Sequence, residues 1–362
     1  DIATTATPDE TMAAARAAWL AAIPTGVSHG TVTVVAHHVP FEVTTLREDV
    51  ETFGRHARVA FTADWAADAR RRDFTINALY CDANGTISDP LGGLADLAAR
   101  RVRFIGDARE RIREDALRIL RFFRFHARYS AEAIDAAGTA ACAAERHLLA
   151  KLSAERVRAE LLKLLDAPGA ARAIAVMAAY GFIVEILGRA PRIGLLARLV
   201  ARDADRRRVP DPLLRLSVLA VAVEEDRDHL AQRLRLSREE ARDLLVIDPR
   251  LMALIDLDAA GRRRALYATG ASRWRRMAIV GAASAETPDE IATWDTLGAL
   301  AETWEIPKFP LAGRDVLALG LAPGPRIGAL LAEIEAEWIA GDFAADAAAL
   351  KARLASRARE SH

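Results

Sequence analysis

The sequence predicts an α+β protein in which a small α/β head is followed by a long, all-helical remainder. The β-branched runs Thr31–Val35 and Phe41–Thr45 lie early in the chain, and such runs favour strands. From Ala108 onward, apolar residues recur at helical spacing and no convincing strand pattern is found. At 362 residues the chain is also too long for one small core, so two to four modules are expected.

The first elements of the head are predicted to be the end of a strand and a capped helix. Asp1–Thr5 is typical of a strand end. Thr7 and Glu10 have the spacing of a capping box, which predicts that a helix begins here. The alanine-rich segment 11–22 is predicted to continue this helix, which ends before Pro24.

The two β-branched runs flank a short connector and are predicted to form a hairpin. Alternation along the second strand places Glu42 on the opposite face from Phe41 and Val43. Segment 47–58 is polar and lacks a clean period, which predicts a mobile loop. The elements predicted after it are a helix at 64–71, a hairpin at 78–88, and helices at 108–128, 132–149, 153–166, 168–180, 192–203, 211–225, 229–234, 237–246, 258–269, 271–285, 287–303, 313–319 and 325–340.

The bulk composition is that of a globular protein, and it excludes an argument from net charge. Hydrophobic residues make up 52% and charged residues 28%, and 50 Lys and Arg balance 50 Asp and Glu. Two cysteines, Cys81 and Cys142, have no spacing typical of a disulfide framework or a metal site, so a reducing cytoplasm is expected. No apolar run is long enough to span a bilayer and no leader is recognised. Neither a membrane nor a protein partner is expected.

Asp1 and Glu42 are the candidate catalytic residues and metal ligands. Asp1 ends one predicted strand and Glu42 lies on another. Carboxylates on neighbouring strands can hold Mg²⁺ beside a triphosphate. An exposed terminal Asp and a solvent-facing strand Glu have the same pattern, and from spacing alone this is the better interpretation.

The run Arg70–Asp73 is the candidate segment for binding phosphate and ribose. Arg72 can donate to phosphate bidentately, Asp73 can accept from a ribose hydroxyl, and Asn77 can orient either side chain. A basic surface run with local ion pairs explains the same residues equally well.

Segment 114–124 combines an apolar face with a charged one. The apolar arc faces a core and is formed by Ala116, Ile119, Leu120 and Phe123. The other half carries charged residues with two rings among them, namely Asp115, Arg118, Arg121, Arg124, Phe122 and Phe125. This mixture predicts a polar site with stacking surfaces. A helix with i,i+3 salt bridges is the alternative.

An Asp and an Arg one turn apart, such as Asp115 and Arg118, can select bases by hydrogen-bond pattern. Cytosine and adenine each present an amino donor beside a ring-nitrogen acceptor, which match a carboxylate and a guanidinium. Guanine and uracil present the reverse order and would leave buried groups unpaired. Arginine clusters in the C-terminal region could contact RNA phosphates, although solvated helix faces explain them nearly as well. These clusters are Arg206–Arg208, Arg262–Arg264, Arg273, Arg275 and Arg276.

Three successive segments resemble motifs of the bacterial class II tRNA nucleotidyltransferase and poly(A) polymerase family. They are Arg71–Leu79, Asp89–Gly93 and Glu114–Arg118, and Glu155–Leu161 resembles the family's next motif. The resemblance implies a polymerase-β-like nucleotidyltransferase head at 1–106 and a helical neck at 107–166 that binds base and RNA. It also implies a helical body at 167–260 and a tRNA-binding helical tail at 261–362.

The resemblance implies Mg²⁺-dependent, template-independent addition of CCA to the 3′ end of the tRNA acceptor stem, with CTP and ATP as substrates. The roles it implies are metal binding by Asp1 and Glu42, phosphate binding by Arg72, ribose binding by Asp73, base reading by Asp115 and Arg118, and support of the nucleotide by Arg121 and Arg124. The segment around 48–56 would be the flexible element that switches from C to A addition.

The sequence departs from the family pattern at its start. The Gly-Gly-x-Val-Arg-Asp motif and the first paired aspartate do not precede Asp1, and we expect an upstream segment because the downstream motifs are intact. Poly(A) polymerase is an alternative on the same fold, but Gly26–Val32 lacks the basic and aromatic residues shared by those enzymes. A catalytically incomplete RNA-binding protein is the alternative of another class.

Overall fold

A computed structural model describes residues 1–53, 56–130, 133–247 and 249–360, and it confirms the α+β architecture. The strands are β1 (Ile2–Thr4), β2 (Ala21–Gly26), β3 (Thr31–Ala36), β4 (Val39–Thr45), β5 (Arg47–Phe53), β6 (His56–Phe61), β7 (Tyr80–Cys81) and β8 (Ile87–Ser88). The helices up to residue 187 are α1 (Pro8–Ala17), α2 (Trp65–Arg70), α3 (Gly93–Ala98), α4 (Ala108–Glu114), α5 (Leu117–Tyr129), α6 (Ala136–Ala144), α7 (Ala154–Asp166), α8 (Ala170–Ala179) and α9 (Phe182–Leu187).

The remainder of the described chain is helical. Its helices are α10 (Ile193–Asp205), α11 (Pro212–Ala220), α12 (Glu224–Arg233), α13 (Arg238–Asp243), α14 (Pro249–Met252), α15 (Ala259–Thr269), α16 (Ala271–Ser284), α17 (Pro288–Thr303), α18 (Gly313–Leu317), α19 (Pro325–Ala340) and α20 (Ala347–Glu360). Across the described ranges, no helix combines the length and the apolar character that crossing a bilayer requires.

A four-stranded sheet in the order β1-β4-β3-β2 forms the centre of the head. Strand β1 runs parallel to β4, and the other two pairings are antiparallel. Helix α1 begins as predicted, because Thr7 and Glu10 form the capping box. The helix ends at Ala17, however, and the continuation to residue 22 was wrong. Strand β2 occupies the sheet edge instead, where Pro24 interrupts no central ladder.

The prediction of a mobile loop at segment 47–58 was wrong, because strands β5 and β6 pair there in antiparallel fashion. Residues 54 and 55 lie outside the described residues. The polarity of the segment misled the prediction, since a two-stranded ribbon satisfies its backbone groups across the ladder without needing an apolar face. The proposed switching role of this segment stays a prediction.

The single helix predicted at 108–128 is two helices, because the chain is extended at Asp115 (φ −148°, ψ 106°). The Asp115 carboxylate accepts a hydrogen bond from the Leu117 N–H at 3.1 Å, so it caps the start of α5. A side chain that offers the backbone such a bond competes with helix continuation, which explains the break.

The described chain forms two compact units. One comprises Asp1–Leu216 with Asp228–Ala241, and the other comprises Ser217–Arg227 with the chain from Arg242 onward. In the first unit, tightly packed rings of Phe74, Phe104 and Phe122 contribute to the core, with centroid separations of 5.0 to 6.2 Å. The four-part division predicted from the sequence stays a prediction.

Candidate functional site

A cleft of about 840 Å³ in the head has lining residues of opposite charge. Two of its acidic lining residues are Asp1 and Glu42, which we call the carboxylate wall. Its basic lining residues are Arg71 and Arg72, which follow α2 and which we call the arginine wall. Asn77, a further predicted site residue, also lines the cleft.

The carboxylate wall is positioned by strand pairing. Ile2 on β1 lies opposite Val43 on the parallel strand β4, so the preceding residues Asp1 and Glu42 are neighbours on the same face of the sheet. Both side chains are exposed. Their oxygen atoms are the donors that Mg²⁺ prefers, so this pair fits a divalent cation in chemistry. Among the described residues, no group of three His, Cys, Asp or Glu side chains could hold a metal ion.

Arg72 is held on three sides. Its Nε and Nη2 donate to the Asp68 carboxylate at 3.2 and 3.0 Å, and its Nη1 donates to the Asn77 carbonyl at 3.2 Å. Its guanidinium also lies 5.0 Å from the centre of the Tyr80 ring. Because 28% of the side chain is still exposed, Arg72 is a fixed cation at the surface of the cleft.

Asp73 follows the arginine wall directly in the chain and is only 5% exposed. One carboxylate oxygen accepts from Asn77 Nδ2 at 2.9 Å, and the other accepts from Arg121 Nε at 2.5 Å. Burial alone would raise the pKa of this carboxyl, but the charge of Arg121 and the two hydrogen bonds outweigh burial and hold the pKa below its usual value. Asp73 is therefore an ionised, buried link between the head and α5, and its ribose-binding role stays a prediction.

Arg121 and Arg124 share the buried carboxylate of Glu160 on α7. Arg124 Nε donates to Glu160 at 2.5 Å, and Arg121 Nη1 lies 3.9 Å from the same group. The two guanidinium groups lie 5.4 and 4.4 Å from the centre of the Phe125 ring. The structure thus brings these two predicted residues together at one place.

Asp115 and Arg118 are each engaged with a different partner. Asp115 accepts from Arg156 Nη2 at 2.7 Å, which ties the start of α5 to α7. Arg118 is paired with Glu114, and its Nη2 lies 3.3 Å from the Arg71 carbonyl oxygen. Each of the proposed base-reading residues is therefore held by a different partner, and Arg118 itself also contacts the backbone of the arginine wall.

The prediction that Phe122 is a stacking surface in a polar site was wrong. Phe122 is fully buried and stacks on Phe104 at 5.3 Å. The core-facing arc of α5 is wider than predicted, because rings from the head cover it and burying an aromatic side chain is strongly favourable. Phe125 is also buried, at 8% exposure, although two guanidinium groups cover its ring.

Sequence reasoning missed three residues that organise this region. Glu114, Arg156 and Glu160 lie within the quoted motifs but were given no role, although each pairs with a predicted site residue. Asp68 was also missed, and its spacing of three and four residues from Arg71 and Arg72 was the available signal.

Several arginines of the C-terminal clusters are engaged within the protein. Arg263 pairs with Asp342, and Arg262 donates to the Ile255 carbonyl at 3.0 Å. Arg276 donates to the Asp243 carbonyl at 2.6 Å. These contacts favour a structural role for those three side chains over the RNA contacts considered above.

Comparison with known families and proteins gives matches along most of the chain. Residues 1–103 match the family described as "Poly A polymerase head domain". Residues 133–191 match the family described as "Probable RNA and SrmB- binding site of polymerase A".

Named relatives cover nearly the whole chain. The "CCA tRNA nucleotidyltransferase 1, mitochondrial" of Mus musculus is 36% identical over 360 residues, covering 93% of this chain and 78% of the relative. A "CCA-adding enzyme" of Levilactobacillus brevis is 29% identical over 358 residues, covering 97% and 87%. The crystal structure of the Bacillus stearothermophilus CCA-adding enzyme in complex with CTP has a TM-score of 0.70 at 28% identity, covering 99% of this chain and 88% of the other.

Proposed function

This chain belongs to the family of class II CCA-adding tRNA nucleotidyltransferases, and on that premise we propose that it adds C, C and A from CTP and ATP to tRNA 3′ ends. The observation that carries the proposal is the identity to named CCA tRNA nucleotidyltransferases along nearly the whole chain. A fold alone would not suffice, because one fold hosts many activities. Here the cleft also supplies groups that suit the chemistry.

The proposed reaction joins the RNA 3′-oxygen to the α-phosphate of the nucleotide. The bond from the α-phosphorus to the oxygen that bridges to the β-phosphorus breaks, pyrophosphate leaves with that oxygen, and the proton of the 3′-hydroxyl is released to solvent. Arg72 on the arginine wall would bind the triphosphate, because a guanidinium matches phosphate oxygens and its charge offsets theirs. Asp115 and Arg118 would read the base edge, and Arg121 and Arg124 would support the nucleotide.

The family implies a divalent metal, and we propose Mg²⁺, with Asp1 and Glu42 as the residues of this chain that would hold it. When bound, such a cation neutralises charge that develops on phosphate oxygens. The adjacent, exposed carboxylates immediately before β1 and on β4 support this assignment.

The compartment we propose is a reducing cytoplasm. Both cysteines are free thiols, Cys81 at an exposed and Cys142 at a buried position. Free thiols at these positions are consistent with a reducing environment.

The proposal is tested with tRNA that lacks its CCA end. The protein is incubated with this tRNA and with CTP and ATP, supplied separately and together, and the products are resolved at single-nucleotide length. We expect addition of C, C and A followed by a stop when both nucleotides are present. A long A tail with ATP alone would support the poly(A) polymerase alternative and contradict the proposal. RNA binding without any addition would support the RNA-binding alternative.

A further inference from the structure

We infer that Asp68 is the positioning residue of the arginine wall, and that it holds Arg71 and Arg72 in the orientation in which they bind the triphosphate of CTP or ATP. The inference rests on the proposed function, which supplies the triphosphate as ligand. It concerns a residue that itself need not contact the nucleotide.

One buried carboxylate aligns both guanidinium groups. Asp68 is 1% exposed on α2, three residues before Arg71 and four before Arg72. Its Oδ1 accepts from Arg71 Nε at 2.8 Å and Nη2 at 2.6 Å. Its Oδ2 accepts from Arg72 Nε at 3.2 Å and Nη2 at 3.0 Å. Each oxygen therefore takes one two-pronged donor, and the two forks are oriented by the same group.

Two further contacts fix the carboxylate itself. The Arg47 N–H at the start of β5 donates to Oδ1 at 3.2 Å, and the Tyr80 hydroxyl on β7 donates to Oδ2 at 2.7 Å. Burial tends to raise the pKa of Asp68, but the hydrogen bond from Tyr80 and the charge of Arg71 lower it below its usual value. Burial and the bond to Asp68 raise the pKa of Tyr80 to about 12, so its hydroxyl remains a donor. The group that holds the arginines is thus anchored to two separate strands.

The net charge of the cluster formed by Asp68, Arg71 and Arg72, taken by itself, suits an anionic ligand. One carboxylate between two guanidinium groups leaves one positive charge, and the exposed fractions are 17% for Arg71 and 28% for Arg72 against 1% for Asp68. The acid is therefore covered while both cations stay partly exposed, and a phosphate in the cleft meets donors that are already oriented. Holding a long side chain in one rotamer has an entropic cost, and pre-orientation removes that cost from nucleotide binding.

The isosteric change Asp68→Asn breaks one fork and preserves shape. An amide has one oxygen acceptor, and its NH₂ group would face the donors of the other arginine or of Tyr80. We expect KM for CTP and KM for ATP to rise together by about tenfold, because each charge-assisted fork contributes in the range of a tenfold change. We expect kcat to change by less than about threefold and KM for tRNA to stay constant.

The experiment measures these constants on the full chain, together with the Kd of radiolabelled CTP by equilibrium dialysis without tRNA. The Kd should rise by the same factor as KM. Tyr80→Phe removes one hydrogen bond to Asp68 and should raise both constants by about threefold, which provides a second variant if Asp68→Asn does not fold.

Asp203→Asn is the matched control, because Asp203 is also buried and pairs with Arg215 on the helical part of the same unit. It should lower thermal stability and leave every KM unchanged.

A merely structural role predicts a different result. Loss of folded protein lowers the apparent kcat for every substrate and leaves KM and Kd unchanged, and that outcome would overturn the inference. An equal rise in KM for tRNA would overturn it as well. Failure of the proposed function is distinguishable, because the unsubstituted protein would then bind CTP without adding it to tRNA. In that case an unchanged Kd in Asp68→Asn would still refute the positioning role, and a tenfold rise would still support it.

Discussion

The two walls of the cleft place their charges by opposite means. Asp1 and Glu42 are exposed side chains, the first immediately before β1 and the second on β4, and pairing between these two strands holds the backbone there. Arg71 and Arg72 are long side chains after a short helix, and a buried acid orients both. A rigid backbone is sufficient to place a short carboxylate, whereas a flexible guanidinium needs a partner that removes its rotamer freedom. The comparison predicts that substitutions in the first wall affect chemistry and that those in the second affect nucleotide affinity.

The largest expected effect is at the carboxylate wall. Glu42→Gln should lower kcat by about 1,000-fold, because an amide cannot neutralise the charge of a cation and transition-state electrostatics contribute on that scale. The Kd for CTP should change by less than about threefold, and the thermal midpoint should stay constant because Glu42 is exposed. Single-turnover kinetics with dialysis would measure both.

Asp82→Asn is the control for Glu42→Gln, because Asp82 lines the same cleft but its carboxylate caps a turn. We expect a change in kcat of less than about threefold. A loss as large as that of Glu42→Gln would break the distinction between the walls.

The next effect concerns His126, a buried side chain whose charged form is disfavoured by burial. Burial, with the charge of Arg172, lowers the pKa of His126 from 6.5 to about 4. Between these values the unfolded chain binds a proton that the folded chain does not, so stability falls as pH falls from 6.5 to 4. The loss should reach about 3 kcal/mol, and His126→Gln should remove it.

Denaturant unfolding at a series of pH values would measure the contribution of His126. His147→Gln, at an exposed position, should leave the pH dependence as it is. If the His126 variant retains the full dependence, other groups must cause it.

A smaller effect should show that packing as well as charge holds the segment that follows the arginine wall in the chain. A Cβ added at Gly93 would lie 2.2 Å from the Thr75 carbonyl oxygen. Gly93→Ala should therefore destabilise the protein by about 2 kcal/mol in chemical denaturation. Gly194→Ala is the matched change, since an added Cβ there meets nothing within 4 Å, and it should be neutral or slightly stabilising. Equal behaviour of the two variants would argue against a packing constraint at Gly93.

The smallest effect should separate base selection from both walls. Asp115→Ala should reduce the preference for CTP and ATP over UTP and GTP by about tenfold, because the proposed hydrogen-bonding partner of the base is lost. Competition assays with mixed nucleotides would measure it. Asp166→Ala removes an exposed carboxylate paired with Arg128 and should leave selectivity constant. Unchanged selectivity in the Asp115 variant would refute the base-reading role.

Local signals in the sequence predicted local structure well. The capping box at Thr7 and Glu10 marked the start of α1 correctly. The end of α1 was missed, because alanine favours helix wherever no other signal intervenes, whereas strand β2 forms through pairing with β3. Edge strands and ribbons depend on partners that a single segment does not reveal.

Candidate site residues could be grouped from the sequence where they share one motif. They could not be grouped where distant segments of the chain bring them together. Arg72, Asp73 and Asn77 lie close in the chain, and the structure places them together. Asp68 escaped notice because its anchors are distant, with Tyr80 following it by 12 residues and Arg47 preceding it by 21. Phe122 was misassigned because its neighbours in the core come from the head.

The links between the arginine wall and helices α4 and α5 have a consequence for how nucleotides of different size are bound. Arg111 Nη2 donates to the Arg72 carbonyl at 2.7 Å, and Arg121 reaches Asp73 across 48 residues of sequence. The groups proposed to bind phosphate and those proposed to read the base are thus fastened to one another. The separation between these two sets of groups is therefore set by contacts within the protein before a nucleotide binds. Because a purine is larger than a pyrimidine, ATP and CTP present their base edges at different distances from the phosphates, so binding both at this site requires a shift of the base or of these contacts.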